Sequence, residues 1–494
     1  MTEDDARRAL LVRAFETAVP PQPAWTDEDR DWASRAAAEV EGERASTETF
    51  VARRARLAVE RLAARDRNVQ RLLRSLTWRP WVGWALALAA FAAGVAADAI
   101  GAGQRINVLA PPVLALVAWN LVVYAVTALR ALASMAGRPR PQGTLARLLA
   151  RAAHAAIAPR RDDAGSSPMA RFAADWARAS ARLNATRVAR VLHLSAIAFA
   201  LGALAGMYLR GLGLEYRAGW ESTFLDTARV RALIGFALAP AAWLTGIALP
   251  DAARLEAIRF PASPGEPAAN WIHLYAVTTA LAVVLPRLLL AAIDQLRERR
   301  LATRFPLPLD DVYFSTLART HRGEAASVLA VPFSHPLTPQ AALGLRAMLG
   351  SAMGAQTRLA IAPTLDYGDE ESAAAALRPV PQPTLVVALM SATATPEPQA
   401  HGVFVATLSA ALPAGATLLV VVDESGFVAR FGDTDPTASR RRDERRAAWT
   451  RFLAPHGQRP LFVDLERTDA PLAGRALREA LDRSASPALA QATT

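Results

Sequence analysis

The chain has 494 residues and a net charge of +11, and it contains no cysteine. Its 56 basic residues are all arginine, because no lysine occurs. That removes the phosphate-loop lysine, Schiff-base catalysis and the lysine of kinase-type sites, and the missing thiols remove cysteine nucleophiles, disulfides and zinc–thiolate sites. Arginine suits phosphate and carboxylate partners. Beside long apolar segments, however, basic residues mark the cytoplasmic side of a membrane, so the lipid bilayer and not nucleic acid is the expected partner.

Residues 1–80 read as a cytoplasmic helical region. No secretory signal is expected, since residues 1–17 are charged and amphipathic and the first apolar run begins near Trp81. Thr26 before Asp27, Glu28 and Asp29 is a helix start with acids in its first turn and capping-box spacing. Ser46 opens a long helix whose apolar stripe takes in Val51, Ala55, Ala58, Leu62, Val69, Leu73 and Leu76, at the helical period. Such a helix packs either on a partner or anionic lipid, or on this protein's own cytoplasmic loop.

Residues 81–295 read as a transmembrane bundle. Segments 82–100, 106–129, 191–209 and 271–293 meet the criterion of ~20 apolar residues for a span, with Trp78, Trp81 and Trp84 at the start of the first as an aromatic belt. Between the second and third, loop 130–190 carries twelve arginines against Asp162, Asp163 and Asp175, which assigns it to the cytoplasm. A fifth apolar segment, 232–249, is short and contains Pro240 and Gly246. The arginines after the last span argue for a cytoplasmic end and so for an even number of crossings, and this segment reads as re-entrant or interfacial within an outer segment, 210–270, in preference to a further full span. Both termini are then cytoplasmic.

Charged residues near the bilayer are the functional candidates. Glu215, Arg217, Glu221 and Asp226 stand beside Tyr216 and Trp220, as a structural network or as a site for an ion or small ligand. Arg287 follows Pro286 in the last span, where an unpaired arginine costs about 2.5–3.5 kcal/mol on insertion scales. Asp98 lies near the outer end of the first span. Asn107, Asn120, His193 and His273 suit interhelical hydrogen bonding.

The run Glu215-Tyr-Arg-Ala-Gly-Trp-Glu-Ser-Thr-Phe-Leu225 resembles the signature of an uncharacterised bacterial membrane family, the domain of unknown function 2868. Leu238-Ala-Pro240, Pro250-Asp251, Trp271-Ile-His-Leu274, Leu285-Pro-Arg-Leu-Leu-Leu290 and Pro306-Leu-Pro-Leu-Asp-Asp311 are similar to it as well. The resemblance implies no catalytic residues. It implies a partner, because such proteins are often encoded beside a second family with a GTPase-like domain.

Residues 305–494 read as a cytoplasmic α/β domain. Candidate strands 328–333, 358–362, 384–389, 417–422 and 460–463 alternate with helices 339–350, 399–412, 439–453 and 473–483, the rhythm of βαβ units on a parallel sheet. Ligands would bind at the strands' carboxyl ends, near 334–339, 391–398 and 423–425. The first strand-to-helix turn, Phe333-Ser-His-Pro-Leu-Thr-Pro339, has no glycine pair and no lysine, so a phosphate loop is missing. Asp423 and Glu424 could hold magnesium or cap a turn. Arg440, Arg441, Arg442, Arg445 and Arg446 form a solvated helix face or a docking patch for an acidic partner. Ser334 and His335 are sequence neighbours without a Gly-x-Ser-x-Gly elbow, and no histidine pair has metal-ligand spacing.

The fold class expected is an integral membrane α-helical bundle of about four spans, with one re-entrant or interfacial segment and a C-terminal parallel-sheet α/β domain. The function expected is a non-enzymatic inner-membrane anchor or scaffold, multi-pass, that presents a degenerate nucleotide-binding-like domain to a cytoplasmic GTPase-like partner. Alternatives are a channel or transporter component using intramembrane charges, and an unorthodox hydrolase in the C-terminal domain. No cofactor or metal is expected, and homo-oligomerisation is left open.

Overall fold

The structure is a computed structural model that describes residues 1–18, 23–42, 44–97, 105–109, 113–135, 167–378, 380, 382–432 and 436–491. Asp98, the turn after the first span and most of loop 130–190 lie outside the described residues. The chain divides into two compact units, one of residues 77–149 and 180–303, the other of 1–76, 150–179 and 304–493.

The first of these units holds the apolar helices. Three helical stretches are long and apolar enough to cross a membrane: Arg67–Ala97, Ala181–Gly213 and Ala269–Thr303. A fourth helix, Val113–Met135, is apolar over Val117–Leu129. It begins later than the sequence suggested, because Asn107 turns the chain: its Oδ1 accepts from the Leu109 N–H at 3.0 Å. Residues Arg105–Asn107 form a short strand, β1. Helix Pro80–Ala97 lies against Ala181–Gly213 where Gly94 meets the Phe199 carbonyl and Gly202 meets the Phe91 carbonyl. A methyl group at either position would overlap that backbone, so glycine is what permits the approach.

β1 is joined by β2 (Arg217–Gly219) in parallel, and β2 by β3 (Glu266–Pro267) in antiparallel. Between β2 and β3 the chain makes helix Thr227–Thr245, which contains Pro240 and ends at Gly246 in left-handed conformation. Segment 232–249 is therefore mostly one continuous helix. Val230, Ile234, Leu238 and Ala241, four residues apart and then three, bury one stripe of it in a core shared with Trp220, Leu255 and Trp271. The last apolar helix changes pitch midway. Residues Ala280–Val284 form a π-helical turn before Pro286, as happens where a turn absorbs an extra residue.

The other unit joins the N-terminal helices to the α/β domain. Helices Asp27–Glu41 and Thr47–Arg65 start at Thr26 and Ser46, whose side chains cap them. The long helix after Ser46 is broken at Asp66, which is extended and caps the next helix, Arg67–Ser75, by accepting from the Asn68 N–H. Strands β4 (Ser327–Pro332), β5 (Arg358–Ile361), β6 (Leu385–Ser391), β7 (Thr417–Asp423) and β8 (Leu461–Val463) form an all-parallel sheet in the order β5-β4-β6-β7-β8. The inner strands β4, β6 and β7 are buried on both faces, which explains near-continuous apolar runs such as Leu385-Val-Val-Ala-Leu-Met390. Helices absent from the sequence reading are Val312–His321 and Ser425–Phe431.

Buried ion pairs lock the N-terminal helices to this domain. Arg13 is fully buried and bonds Asp482 through Nε, while its Nη2 stands 3.2 Å from Asp311. Arg54 donates to Glu16 at 2.7 Å, and Glu16 also accepts from the Tyr313 hydroxyl at 2.9 Å.

Candidate functional site

The signature run folds into a clasp. Arg217 Nη2 donates to the Gly265 carbonyl at 2.9 Å, and its Nη1 stands 3.2 Å from Glu215. The Tyr216 carbonyl accepts from the Ala268 N–H. Trp220 is fully buried; its indole N–H donates to the Leu255 carbonyl at 2.7 Å, and the Arg259 guanidinium lies over its ring. Gly219 is required between them, since a Cβ there would strike the Ile258 carbonyl and the Phe260 ring. Glu221 is exposed and lends only its carbonyl, to the Asn107 amide. Asp226 caps helix Thr227–Thr245 by accepting from the Arg229 N–H at 2.8 Å. Arg217 and Asp226 are thus spent on a neighbour and a cap, while the Glu221 carboxylate faces outward.

Inside the bundle a chain of polar groups runs through Arg287. The guanidinium is buried; Nε donates to Asn120 Oδ1 at 2.8 Å, Nη1 stands 3.1 Å from His193 Nδ1, and the cation lies 5.5 Å from the centre of the Tyr124 ring. His193 Nε2 is 3.7 Å from Asp294. One turn on, Glu298 takes Arg187 at 3.1 Å and Arg190 at 2.8 Å. The Tyr124 hydroxyl also donates to the Val283 carbonyl in the π turn. Arg287 is therefore held from helices 113–135 and 181–213 instead of reaching for the membrane surface. Of this chain, Asp294 and Glu298 escaped sequence reasoning, although each sits at helical spacing from Arg287.

In the α/β unit, Asp423 ends β7 and accepts four hydrogen bonds: from His335 Nε2 at 2.9 Å, from the Ser425 N–H at 3.0 Å, from the Ser425 hydroxyl, and from the Leu465 N–H at 3.1 Å. Burial would raise its pKa, but His335 and Ser425 outweigh that and hold the carboxyl below its usual range. An ionised Asp423 can only accept, so His335 Nε2–H is the donor in this bond. Ser334, just before it, has φ +48°, a left-handed conformation uncommon for serine. These residues lie at the carboxyl ends of β4 and β7. The strand order reverses between β4 and β6, which is where parallel sheets bind ligands.

Glu424 is not offered to a cation, because Arg446 grips both its oxygens at 2.6 Å. Arg445 also turns inward, to Thr395 Oγ1 at 3.0 Å. Of the five arginines considered for docking, Arg440 and Arg441 are exposed and Arg442 is half-buried. Arg440 stands 3.8 Å from Glu444, and the Arg441 guanidinium lies 5.7 Å from the centre of the Phe431 ring.

Residues 130–328 match the model of a family described as protein of unknown function (DUF2868). The matched stretch includes the clasp and Arg287 and ends as β4 begins, so the parallel sheet lies beyond it. No curated protein and no solved structure matches the chain.

Proposed function

We propose that this protein is a membrane-anchored scaffold whose α/β unit, interlocked with the N-terminal helices, is held on one face of a bilayer for a soluble partner. One observation carries the reading: residues before the first apolar helix and after the last belong to a single body, joined by the buried Arg13–Asp311–Asp482 and Arg54–Glu16–Tyr313 contacts. Two parts of one folded body share one side of a membrane, so the helices between them make an even number of crossings.

The small sheet supports the same count from the other side. β1 follows the first apolar helix, β2 follows Ala181–Gly213, and β3 precedes Ala269–Thr303, yet the three strands are hydrogen-bonded together. Four crossings, with Val113–Met135 as the second, satisfy both closures. The arginine-rich segments favour the cytoplasm for the α/β unit. A GTPase-like protein is the partner we favour, with Arg440 and Arg441 as exposed contacts.

The absence of native cysteine makes the test clean. Single cysteines at Glu28, Glu221 and Ala447 would be probed with a membrane-impermeant maleimide in intact cells and in opened membranes. Glu221→Cys should label from outside, and Glu28→Cys and Ala447→Cys only after opening. Labelling of Ala447→Cys together with Glu221→Cys would sink the scaffold reading.

A second reading, a channel or transporter component, is favoured by the sequence Asn120–Arg287–His193–Asp294, buried but for the half-buried His193. Reconstituted Arg287→Met and His193→Gln variants would then alter ion or proton flux relative to the parent protein, whereas unchanged flux in both removes that reading.

A further inference from the structure

We propose that helix Thr227–Thr245 is immersed in the lipid leaflet on the side of the small sheet, without crossing the bilayer; this rests on the membrane reading above. Both flanks of the helix are hydrogen-bonded to each other. The Phe260 N–H donates to the Trp220 carbonyl at 2.8 Å, the Trp220 indole reaches the Leu255 carbonyl, and β2 pairs with β3. A helix whose two ends return to the same strand does not pass through a membrane.

Yet the helix is apolar on both faces. Residues 232–250 carry no charge. While Ile234 and Leu238 face the core, Phe236 is 83% exposed and Trp243 84%, with Leu233 and Leu244 beside them. A helix packed at a water surface would show polar groups there. Charge returns only at the edges, at Arg229 and Arg231 before the run and at Asp251 and Arg254 after it, as suits a segment between headgroups. Pro240 has no N–H to offer the Phe236 carbonyl, which favours a shallow position where water reaches the backbone over the dry centre. Leu209 and Leu212 at the end of the preceding span are exposed as well. The occupant of this face is phospholipid.

Nitroxide labels on single cysteines at Phe236, Trp243, Glu221 and Asp251 would test this, in the full chain reconstituted into phosphatidylcholine–phosphatidylglycerol vesicles. Labels at Phe236 and Trp243 should collide with oxygen in preference to a water-soluble nickel chelate, reversing the preference at Glu221 and Asp251 by about tenfold, since hydrocarbon excludes the polar reagent. Nickel access at Phe236 and Trp243 equal to that at Glu221 overturns the proposal. Protection of those two sites in native membranes but not in the vesicles also overturns it, because a protein would then cover the face. The maleimide pattern at Glu28 and Ala447 is a separate readout, so failure of the topology and failure of lipid immersion are distinguishable.

Discussion

Buried charge decides the behaviour of several single residues. Arg13 is enclosed with Asp482 and Asp311, and those carboxylates outweigh burial to keep it protonated. Removing one partner of such a cluster strands the other in a low-dielectric site, at about 3–5 kcal/mol. Asp482→Asn should therefore lower the thermal midpoint of the purified protein far more than Arg440→Ala, whose partner is exposed. Asp29 gives a pH signature. Burial would raise its carboxyl, but Arg65 and the Thr26 cap hold it down at about 2. A depressed carboxyl stabilises the fold above its unfolded value of ~3.9 and loses that as pH falls toward the folded value. Thermal denaturation should accordingly show Asp29→Asn weakened by about 2 kcal/mol at neutral pH, with the gap to the parent closing between pH 4 and 2. In the bundle, Asn120→Leu should be worse tolerated than Arg287→Met, because it leaves a guanidinium short of an acceptor whereas the second change removes the charge; unfolding in detergent would rank them.

Among the elements, the contact of Pro80–Ala97 with Ala181–Gly213 is the most sensitive to volume. Gly202 and Gly206 both pack on the partner helix, at Phe91 and Val95, the small-xxx-small arrangement of membrane helices. Gly202→Ala should destabilise by about 1–3 kcal/mol, as overpacking does, and Gly211→Ala, in open space, should be neutral; thermal unfolding of the two in the same detergent checks this. That Gly202-x-x-x-Gly206 spacing was open to reading in the sequence and was passed over. Strands β4, β6 and β7 were legible because both-face burial writes them as unbroken apolar runs, and the edge strands β5 and β8 through their place in the alternation with helices. Thr26 and Ser46 were legible because a cap is a local interaction. What escaped were features set by distant neighbours. The strand at Arg105–Asn107 forms only because Arg217–Gly219 lies beside it, and the break at Asp66 interrupts an apolar stripe that by periodicity alone runs on. Arg287 was identified as costly, but its partners come from helices 167 and 94 residues away in sequence, a distance no local pattern encodes.

At the scale of the whole molecule, the N-terminal helices are part of the α/β unit's core rather than an appendage. Arg13, Arg54 and Glu16 reach Asp482, Asp311 and Tyr313, and Arg475 and Arg478 of the last helix return the contact to Asp27 at 2.8 Å and 3.1 Å. Deleting residues 1–76 would take Arg13 from Asp311 and Asp482 together with the buried side chains of Leu10, Leu11 and Phe50, a loss to set against a typical domain stability of about 5–15 kcal/mol. Residues 304–494 expressed alone should therefore aggregate or be degraded. Supplying residues 1–76 as a separate chain should restore soluble material that purifies as a complex. Stable, monomeric 304–494 with cooperative unfolding would show instead that the two ends fold independently. The argument for an even number of crossings would then rest on the small sheet alone.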